Sequence, residues 1–335
     1  MGYGLFVNGL EQQLPLRVRM TEPQSPAAAA GLQRGDIIVS ANGRTAAELV
    51  AANDFAVFSP AAEGTRLALV VERGGVPTSV DLTAATYTLT PVPTTQRLTL
   101  ANDAVAGYVA LKDFITQAEA PLAAALADFR QAGATELIVD LRYNGGGRIS
   151  TANAFASQIV GALHPGAVFT ELRYNGAHAA SNSRFTLTAA PAPAFGRIVV
   201  LTGPRTCSAS ELLVNGLRPY AQVVTIGATS CGKPVGFSPV ESCQNTFSVV
   251  NFQAYNAANQ GDYYDGIAPT CAATDTFTGT PGDPAEALTA AAAAYLTSGS
   301  CPTAGPAAAQ RARTLAVRAR HGAEPGQRPG MVADR

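Results

Sequence analysis

The first ninety or so residues alternate short apolar runs with turn residues, a pattern typical of a small β-rich domain. Strands are predicted over Leu16–Met20 and over 36–43, the latter running into an Asn-Gly turn. A one-turn helix is predicted over Ser25–Gly31, a second helix over Thr45–Asn53, and a hairpin over 67–82. Together these elements predict a mostly-β domain over residues 1–88.

Beyond an extended linker predicted at 89–95, with prolines at 91 and 93, the pattern changes to strands alternating with helices. The predicted strands are Ala106–Leu111, Leu137–Leu141, Ile198–Thr202 and Val223–Gly227, and the predicted helices are Pro121–Gln131, Ser208–Leu217 and Pro284–Leu296. Such alternation indicates an α/β domain over residues 96–300. Residues 301–335 are rich in Ala, Pro and Arg without a period, which predicts a disordered tail; a helix over Ala307–Arg320 is the alternative.

Composition excludes several classes of protein. A net charge of −1 gives no electrostatic case for nucleic acid or anionic lipid. No apolar run approaches the ~18–20 residues of an integral membrane segment. The first residues lack the charged and apolar regions of a signal peptide, which fits either a cytoplasmic protein or a chain trimmed to its mature part.

Five cysteines and three histidines occur without the spacing of a metal site, so no metal is expected. The wide spacing of the cysteines, all in the second half of the chain, fits disulfides formed in an oxidising compartment, with one thiol left over. It also fits buried free thiols.

Lysine occurs only twice, at Lys112 and Lys233, against twenty-one arginines. Unlike arginine, a buried lysine can become neutral and act as a general base. Doing so near pH 7 requires its pKa to fall by about 3 units, at a cost of roughly 4 kcal/mol. Ser208 lies twenty-five residues before Lys233, and a serine with a lysine base is a known hydrolytic pair.

Each of these two residues also has a structural interpretation. Ser208 and Glu211 form the Ser-x-x-Glu pattern of a capping box at a helix start, and Lys233 fits a solvated loop lysine. The loop 227–233 matches the glycine and lysine spacing of a phosphate-binding loop. Pro234 stands where that motif needs Ser or Thr, however, so nucleotide binding is not expected.

Asp140-Leu-Arg-Tyr-Asn-Gly-Gly-Gly147 follows a predicted buried strand. Its glycines permit a tight turn, and its amides are candidates for stabilising an oxyanion. A plain glycine turn is the alternative.

The N-terminal segment Ser-Pro-Ala-x-x-Ala-Gly-Leu32-x-x-Gly-Asp36, followed by Asn42-Gly43, resembles the bacterial PDZ pattern. Residues Tyr3, Gly4, Leu5 and Phe6 resemble the carboxylate-binding loop and peptide-pairing strand of PDZ domains. The resemblance implies capture of peptide C-termini by strand addition. A generic small β-domain remains the alternative.

The glycine turn, the Ser-Ala-Ser-Glu helix start and the Gly-Lys loop occur in the order found in the C-terminal processing peptidases, which the chain resembles up to about Cys301. The resemblance implies an α/β catalytic core of the ClpP/crotonase-like spiral type, preceded by the mostly-β PDZ domain. It assigns Ser208 as nucleophile, Lys233 as base, and the amides of Ala209 and Gly146 as the oxyanion hole. Accessory roles fall to Ser210 and Gly147, and a disulfide between Cys207 and Cys231 would clamp the site.

One departure concerns Phe237, which stands where many members carry a glutamine that orients the lysine. A backbone carbonyl or Ser210 would then have to orient Lys233.

The expected function is that of a serine endopeptidase for polypeptides with apolar C-termini. It would need no cofactor and would reside in the periplasm or another extracytoplasmic space. The alternatives are a binding protein for peptides or an apolar ligand on the same fold, and acyl-CoA chemistry, for which no CoA-phosphate site is recognisable.

Overall fold

The computed structural model describes residues 1–9 and 14–302, together with the backbone of 330–332. The described chain divides into two compact units. The N-terminal unit comprises Met1–Pro93 and Asp275–Thr280, and the second comprises Thr94–Thr274, 281–302 and 330–332.

The N-terminal unit is built mainly from short antiparallel strands. Its elements are β1 (Leu5–Val7), β2 (Val18–Thr21), α1 (Pro26–Ala29), β3 (Ile37–Ala41), β4 (Arg44–Thr45), α2 (Ala46–Ala52), a 3₁₀ turn (Ala56–Phe58), β5 (Arg66–Arg73) and β6 (Val76–Thr83). Strand β1 pairs with β2, and a four-stranded sheet has the order β4-β3-β5-β6. Asn42 and Gly43 both have positive φ, as the two-residue turn between β3 and β4 requires.

The second unit alternates strands and helices. Its strands are β7 (Thr94–Thr99), β8 (Val105–Ala110), β9 (Glu136–Asp140), β10 (Gly146–Arg148), β11 (Val168–Tyr174), β12 (Ser183–Thr186), β13 (Arg197–Thr202), β14 (Gln222–Gly227), β15 (Val235–Phe237), β16 (Val240–Ser242), β17 (Asn245–Phe247), β18 (Phe252–Tyr255), β19 (Cys271–Ala272) and β20 (Gly330–Val332). Its helices are α3 (Glu119–Gln131), α4 (Ile149–Val160), α5 (Ala209–Leu217) and α6 (Ala287–Ser298), with 3₁₀ turns at Thr116–Ala118 and Gly176–Ser181.

One sheet of this unit has the order β19-β14-β13-β9-β8-β7, with only β7 antiparallel to its neighbour. Parallel neighbours need crossover connections, which α3 and α5 provide between β8 and β9 and between β13 and β14. Strand β9 is almost wholly buried, and every residue of α5 is buried. The predicted α/β architecture is therefore confirmed.

A second sheet has the order β10-β20-β15-β18-β11-β12. The prediction of a disordered tail is wrong at Gly330–Val332, because pairing with two partner strands supplies an order that the local sequence does not signal. The remainder of that prediction, including the alternative helix Ala307–Arg320, lies outside the described residues.

Several element boundaries differ from those predicted, among them the starts of β7 and α6. Strand β7 begins at Thr94, inside the predicted linker. Helix α6 begins at Ala287 rather than Pro284, because the Glu286 side chain caps it by accepting from the Thr289 amide. Across the described part of the chain, no helix has the length and apolar run needed to cross a membrane.

Candidate active site

The glycine turn after β9 is anchored by a buried ionic cluster. Arg142 contacts the Asp140 carboxylate through its Nε at 3.0 Å and the Glu286 carboxylate through both terminal nitrogens at 2.6 and 2.9 Å. The Tyr108 hydroxyl donates to Asp140 at 2.6 Å. Burial is the largest single influence on the pKa of Glu286 and acts to raise it, but the hydrogen bonds and charge of Arg142 together with the hydrogen bonds from Thr289 lower the pKa overall. The cluster therefore fixes where the turn begins.

Asn144 connects this turn to the start of α5. Its amide nitrogen donates to Leu111 O at 3.0 Å, and its Oδ1 accepts from the Gly146 amide at 2.8 Å. Its backbone carbonyl accepts from the Cys207 amide at 3.1 Å and from the Ser210 hydroxyl at 3.0 Å. The Ser210 proton, predicted as an accessory group for the lysine, is thus used to hold the turn against the helix.

Ser208 precedes α5 in an unusual backbone conformation, with φ 61° and ψ −114°. A positive φ at a non-glycine residue is strained and is found preferentially at functional sites. Its Oγ is buried and has no hydrogen-bond partner within the described residues. Of the predicted capping box, the backbone half forms, since the Ser208 amide donates to Glu211 at 2.9 Å, but Oγ is left unused.

Glu211 joins the segment that carries Ser208 to the segment that carries Lys233. Its Oε2 accepts from the backbone amides of Ser208 at 2.9 Å and Lys233 at 2.8 Å. Its Oε1 accepts from the Gly232 amide at 2.8 Å and from the Ser230 hydroxyl. Because one oxygen serves both, the Ser208 and Lys233 backbones lie within two hydrogen-bond lengths of each other.

A disulfide joins the same two segments covalently. Cys207 and Cys231 are bonded, with a Cα–Cα distance of 5.2 Å. A second disulfide links Cys271 to Cys301, and Cys243 is an exposed free thiol. The two sulfurs and a Glu211 oxygen lie within 4.8 Å of one another, but the disulfide leaves no thiolate there to bind a metal.

Lys233 lies half-buried on the loop after β14. Burial lowers its pKa, and the nearby Glu211 carboxylate opposes that effect. Gly232, at φ 84°, comes so close to the backbone that an added Cβ would lie 2.2 Å from Tyr264 O. The loop that carries the lysine is therefore held by the packing of Gly232 against Tyr264 and by the hydrogen bond from the Lys233 amide to Glu211.

The candidate oxyanion donors are not equivalent. Gly146 abuts the helix start, since a Cβ there would lie 2.9 Å from Ser208 Cβ and 3.0 Å from Ala209 N. Its own amide already donates to Asn144, which differs from the prediction that it faces an oxyanion. Ala209 is the first residue of α5, where an amide has no partner inside the helix. Gly147 is the central residue of β10.

Phe237 supplies a ring at the position where many C-terminal processing peptidases carry a glutamine. The Lys233 Nζ lies 5.8 Å from the centre of that ring. A cation over an aromatic face is stabilised in its charged form, so this contact also opposes the effect of burial on the pKa.

The predicted peptide-binding residues of the N-terminal unit lie on and before β1. Tyr3 and Leu5 are core side chains, Gly4 packs against Ser25, and Phe6 is half-buried. In the described chain β1 pairs only with β2. Its second edge fits strand addition by a peptide, and this role of residues 3–6 stays a prediction.

Comparison with known families matches both units. Residues 105–273 match peptidase family S41, and residues 18–73 match the PDZ domain. The S41 match covers the glycine turn, the α5 start and the lysine loop.

Curated relatives are carboxyl-terminal-processing proteases of cyanobacteria. That of Picosynechococcus sp. is 28% identical over 69% of this chain, and that of Synechocystis sp. is 26% identical over 80%. The chain spans 54% and 61% of the length of these relatives.

Among solved structures, an S41 protease of Bacteroides fragilis has a TM-score of 0.72 at 25% identity, covering 89% of this chain and 83% of its own. The photosystem II D1 C-terminal processing protease has a TM-score of 0.52 at 22% identity, covering 80% and 71%, and shows the shared fold. The predicted ClpP/crotonase-like core with a PDZ domain is thereby confirmed.

Sequence reasoning did not identify two of the groups that build this site. Glu211 was interpreted only as a capping partner of Ser208, and the contacts it makes with the lysine loop join residues far apart in sequence. Glu286 was placed within a predicted helix, with no signal that it would pair with Arg142.

Proposed function

Because this chain belongs to peptidase family S41 and carries a PDZ domain, we propose that it is a serine endopeptidase with Ser208 as nucleophile and Lys233 as general base. The observation that carries the assignment is the shared Glu211 oxygen, which holds the backbones of both residues together. The unused Ser208 Oγ at a helix start and the lowered pKa of Lys233 support the two roles.

In this mechanism Ser208 Oγ attacks the scissile carbonyl as its proton passes to the neutral Lys233 amine. The amide of Ala209 stabilises the oxyanion from the helix N-terminus, and a glycine amide of the turn supplies the second donor. Since the Gly146 amide is committed to Asn144, we assign that second donor to Gly147. The protonated lysine then gives its proton to the leaving amine, and water hydrolyses the acyl-enzyme.

The two lysines of the chain provide a matched test. We expect Lys233→Arg to abolish cleavage of β-casein, because arginine cannot act as a base at neutral pH. Lys112→Arg should retain it. Equal loss in both variants, or equal activity in both, would rule out Lys233 as the base.

The PDZ domain is proposed to bind the apolar C-terminus of a polypeptide substrate along residues 3–6. Met1–Pro93 together with Asp275–Thr280 are proposed as the extent of this domain, and Thr94–Thr274 with 281–302 and 330–332 as the catalytic domain. Binding of a peptide with a free apolar C-terminus, and none of its amidated form, would support the role of the PDZ loop. Equal binding of both would remove it.

Two disulfides within the described residues support an extracytoplasmic location, since disulfides persist in oxidising compartments. Mass spectrometry after alkylation, with and without reductant, tests whether the native chain carries both bonds.

The second candidate function is a binding protein on the same fold. Two observations favour it, namely the complete burial of Ser208 and the replacement of a lysine-orienting glutamine by Phe237. Retention of polypeptide binding without cleavage by the wild-type protein would support this function.

A further inference from the structure

Strand β20 fills a position between two other strands of the second sheet. It runs parallel to β10, with Gly330 opposite Gly146 and Val332 opposite Arg148. It also runs parallel to β15, where Met331 lies opposite Gly236 and Val332 opposite Phe237. Without residues 330–332, β10 and β15 would therefore face each other across an unfilled gap.

Such a gap has the dimensions of one extended chain. Neighbouring strands lie about 4.8 Å apart, so β10 and β15 are separated by about 10 Å. Each would present a row of backbone donors and acceptors toward the other, and an unpaired strand edge is a template for an added chain. The gap therefore recognises main chain in extended conformation rather than a particular side chain.

Both walls of the gap begin at the candidate site. Strand β10 starts at Gly146, which abuts Ser208 and Ala209. Strand β15 starts two residues after Lys233. A chain lying in the gap thus passes directly beside the proposed nucleophile.

The proposed Gly147 donor faces this gap. On one edge of β10, Phe114 donates to Gly146 O and accepts from the Arg148 amide. Successive residues of a strand direct their backbone groups to opposite edges. The Gly147 amide therefore lies on the other edge, which β20 lines.

Ser208 cannot meet a substrate in this arrangement because it is 0% exposed. The residues around it are held in place, since Cys207 is in a disulfide and the Ser208 and Lys233 amides are bound to Glu211. Segment 330–332, in contrast, is attached to the sheet through three residue pairs with β10 and two with β15. Its departure is the change that would open the gap with the smallest loss of structure.

We propose that the gap between β10 and β15 is the docking site for extended polypeptide main chain, and that segment 330–332 occupies it as an internal competitive inhibitor. The docking site is inferred from the pairing of β20 with β10 and β15 alone. Cleavage of a docked chain, in contrast, rests on the proposed function. Because the segment is tethered, its effective concentration at the gap is high, and an outside chain must compete with it.

Proline at a paired position tests the proposal in the full-length chain, because proline has no amide hydrogen and clashes in a paired strand. We expect Met331→Pro to lower the KM for β-casein about tenfold with kcat unchanged, as for a site that was filled nine-tenths of the time. Val332→Pro should behave in the same way. Leu163→Ala, at an exposed residue of the same unit, should match the wild type, and thermal unfolding should show that all three variants are folded.

A binding experiment keeps the docking site separate from catalysis. A fluorescein-labelled peptide with the sequence of residues 326–335 should bind the Met331→Pro protein carrying Ser208→Ala, as measured by fluorescence anisotropy. It should bind the Ser208→Ala protein with intact Met331 about tenfold more weakly, because the gap is filled there. The same peptide with proline in place of methionine should bind neither.

The outcomes separate the two proposals. Peptide binding by the Met331→Pro protein without cleavage by any variant would retain the docking site and remove the serine peptidase function. Unchanged KM in both proline variants, together with no peptide binding, would overturn the docking site. Loss of residues 330–332 from the wild type but not from Ser208→Ala, seen by intact mass, would make the segment a substrate and overturn its role as an inhibitor.

Discussion

Two glutamates of the catalytic unit are equally buried but have opposite environments. Glu286 is held by the guanidinium of Arg142, and the net effect lowers its pKa. Glu211 accepts from backbone amides and a hydroxyl, all neutral groups, and burial raises its pKa in spite of those hydrogen bonds. The first environment favours the charged carboxylate, whereas the second favours its protonated form in spite of the hydrogen bonds it accepts.

The two environments match different roles, structural for Glu286 and positioning of the dyad for Glu211. The Glu286 cluster anchors the glycine turn, and Glu286 also caps the N-terminus of α6. Its ion pair with Arg142 therefore fixes the turn against this helix. The Glu211 cluster must hold two chain segments together through neutral donors, because Lys233 has to lose its proton to act as a base. The Glu211 carboxylate holds the two segments together by accepting hydrogen bonds from backbone amides of both. Glu211 is therefore a positioning residue for the Ser208/Lys233 dyad.

The largest expected effect on stability comes from breaking the Glu286 cluster. Glu286→Gln should cost about 3–5 kcal/mol in the free energy of unfolding, because it removes one charge from a buried ionic cluster and leaves Asp140 as the remaining carboxylate partner of Arg142. Urea denaturation measures the loss. A cost below about 1 kcal/mol, typical of exposed pairs, would contradict the role assigned to this cluster.

The two disulfides offer a comparison at similar loop length, with sequence separations of 24 and 30. Replacing either pair by alanines should cost about 3 kcal/mol of stability. Only the Cys207/Cys231 replacement should also lower kcat, because only that bond joins the two segments of the dyad. Equal kcat in both double variants would show that the disulfide does not position the site.

Glu211→Gln should reduce kcat about a hundredfold, since small displacements of reacting groups carry losses of this size. The glutamine keeps one acceptor oxygen, so the stability cost should stay near 1–3 kcal/mol, below that of Glu286→Gln. Assays of β-casein cleavage and urea unfolding on the same samples provide both numbers. Full activity in the variant would remove the positioning role.

The pH dependence of stability should differ in sign between the two glutamates. Glu286, with a lowered folded pKa, contributes stability that is present above its ordinary value of 4.5 and lost as pH falls through the folded pKa. Glu211, with a raised folded pKa, has the opposite effect, destabilising the fold as pH rises from 4.5 through its folded value. The free energy of unfolding should be measured against pH for both glutamine variants. Glu286→Gln should lose the increase of stability with pH that Glu286 causes, and Glu211→Gln should lose the decrease that Glu211 causes. Parallel curves would contradict the comparison.

Much of the fold was readable from the sequence because periodicity and turn chemistry act locally. The Asn42-Gly43 turn, the buried strand before the glycines and the helix after Ser208 were placed correctly. Contacts between distant segments were not readable, as the four donors to Glu211 and the pairing of Arg142 with Glu286 show. The order of Gly330–Val332 was missed for the same reason, since glycine after proline gives no local strand signal and the partners lie far away in sequence.

The order of the motifs was enough to predict Ser208 and Lys233 as candidate residues. It did not show which glycine amide is free to donate to an oxyanion. The sequence offered Gly146 and Gly147 as equivalent amides, and only the position of the Asn144 side chain distinguishes them. Such distinctions depend on side-chain geometry, which spacing alone does not determine.

Whether Lys233 is available as a neutral base can be measured directly, because the chain contains only two lysines. Reductive ¹³C-methylation followed by NMR titration gives one signal for each, and Lys112→Arg assigns them. We expect the Lys233 signal to titrate well below the ordinary lysine pKa of about 10.4. Titration of Lys233 at or above that value would leave the lysine charged at working pH and contradict the Ser208/Lys233 dyad.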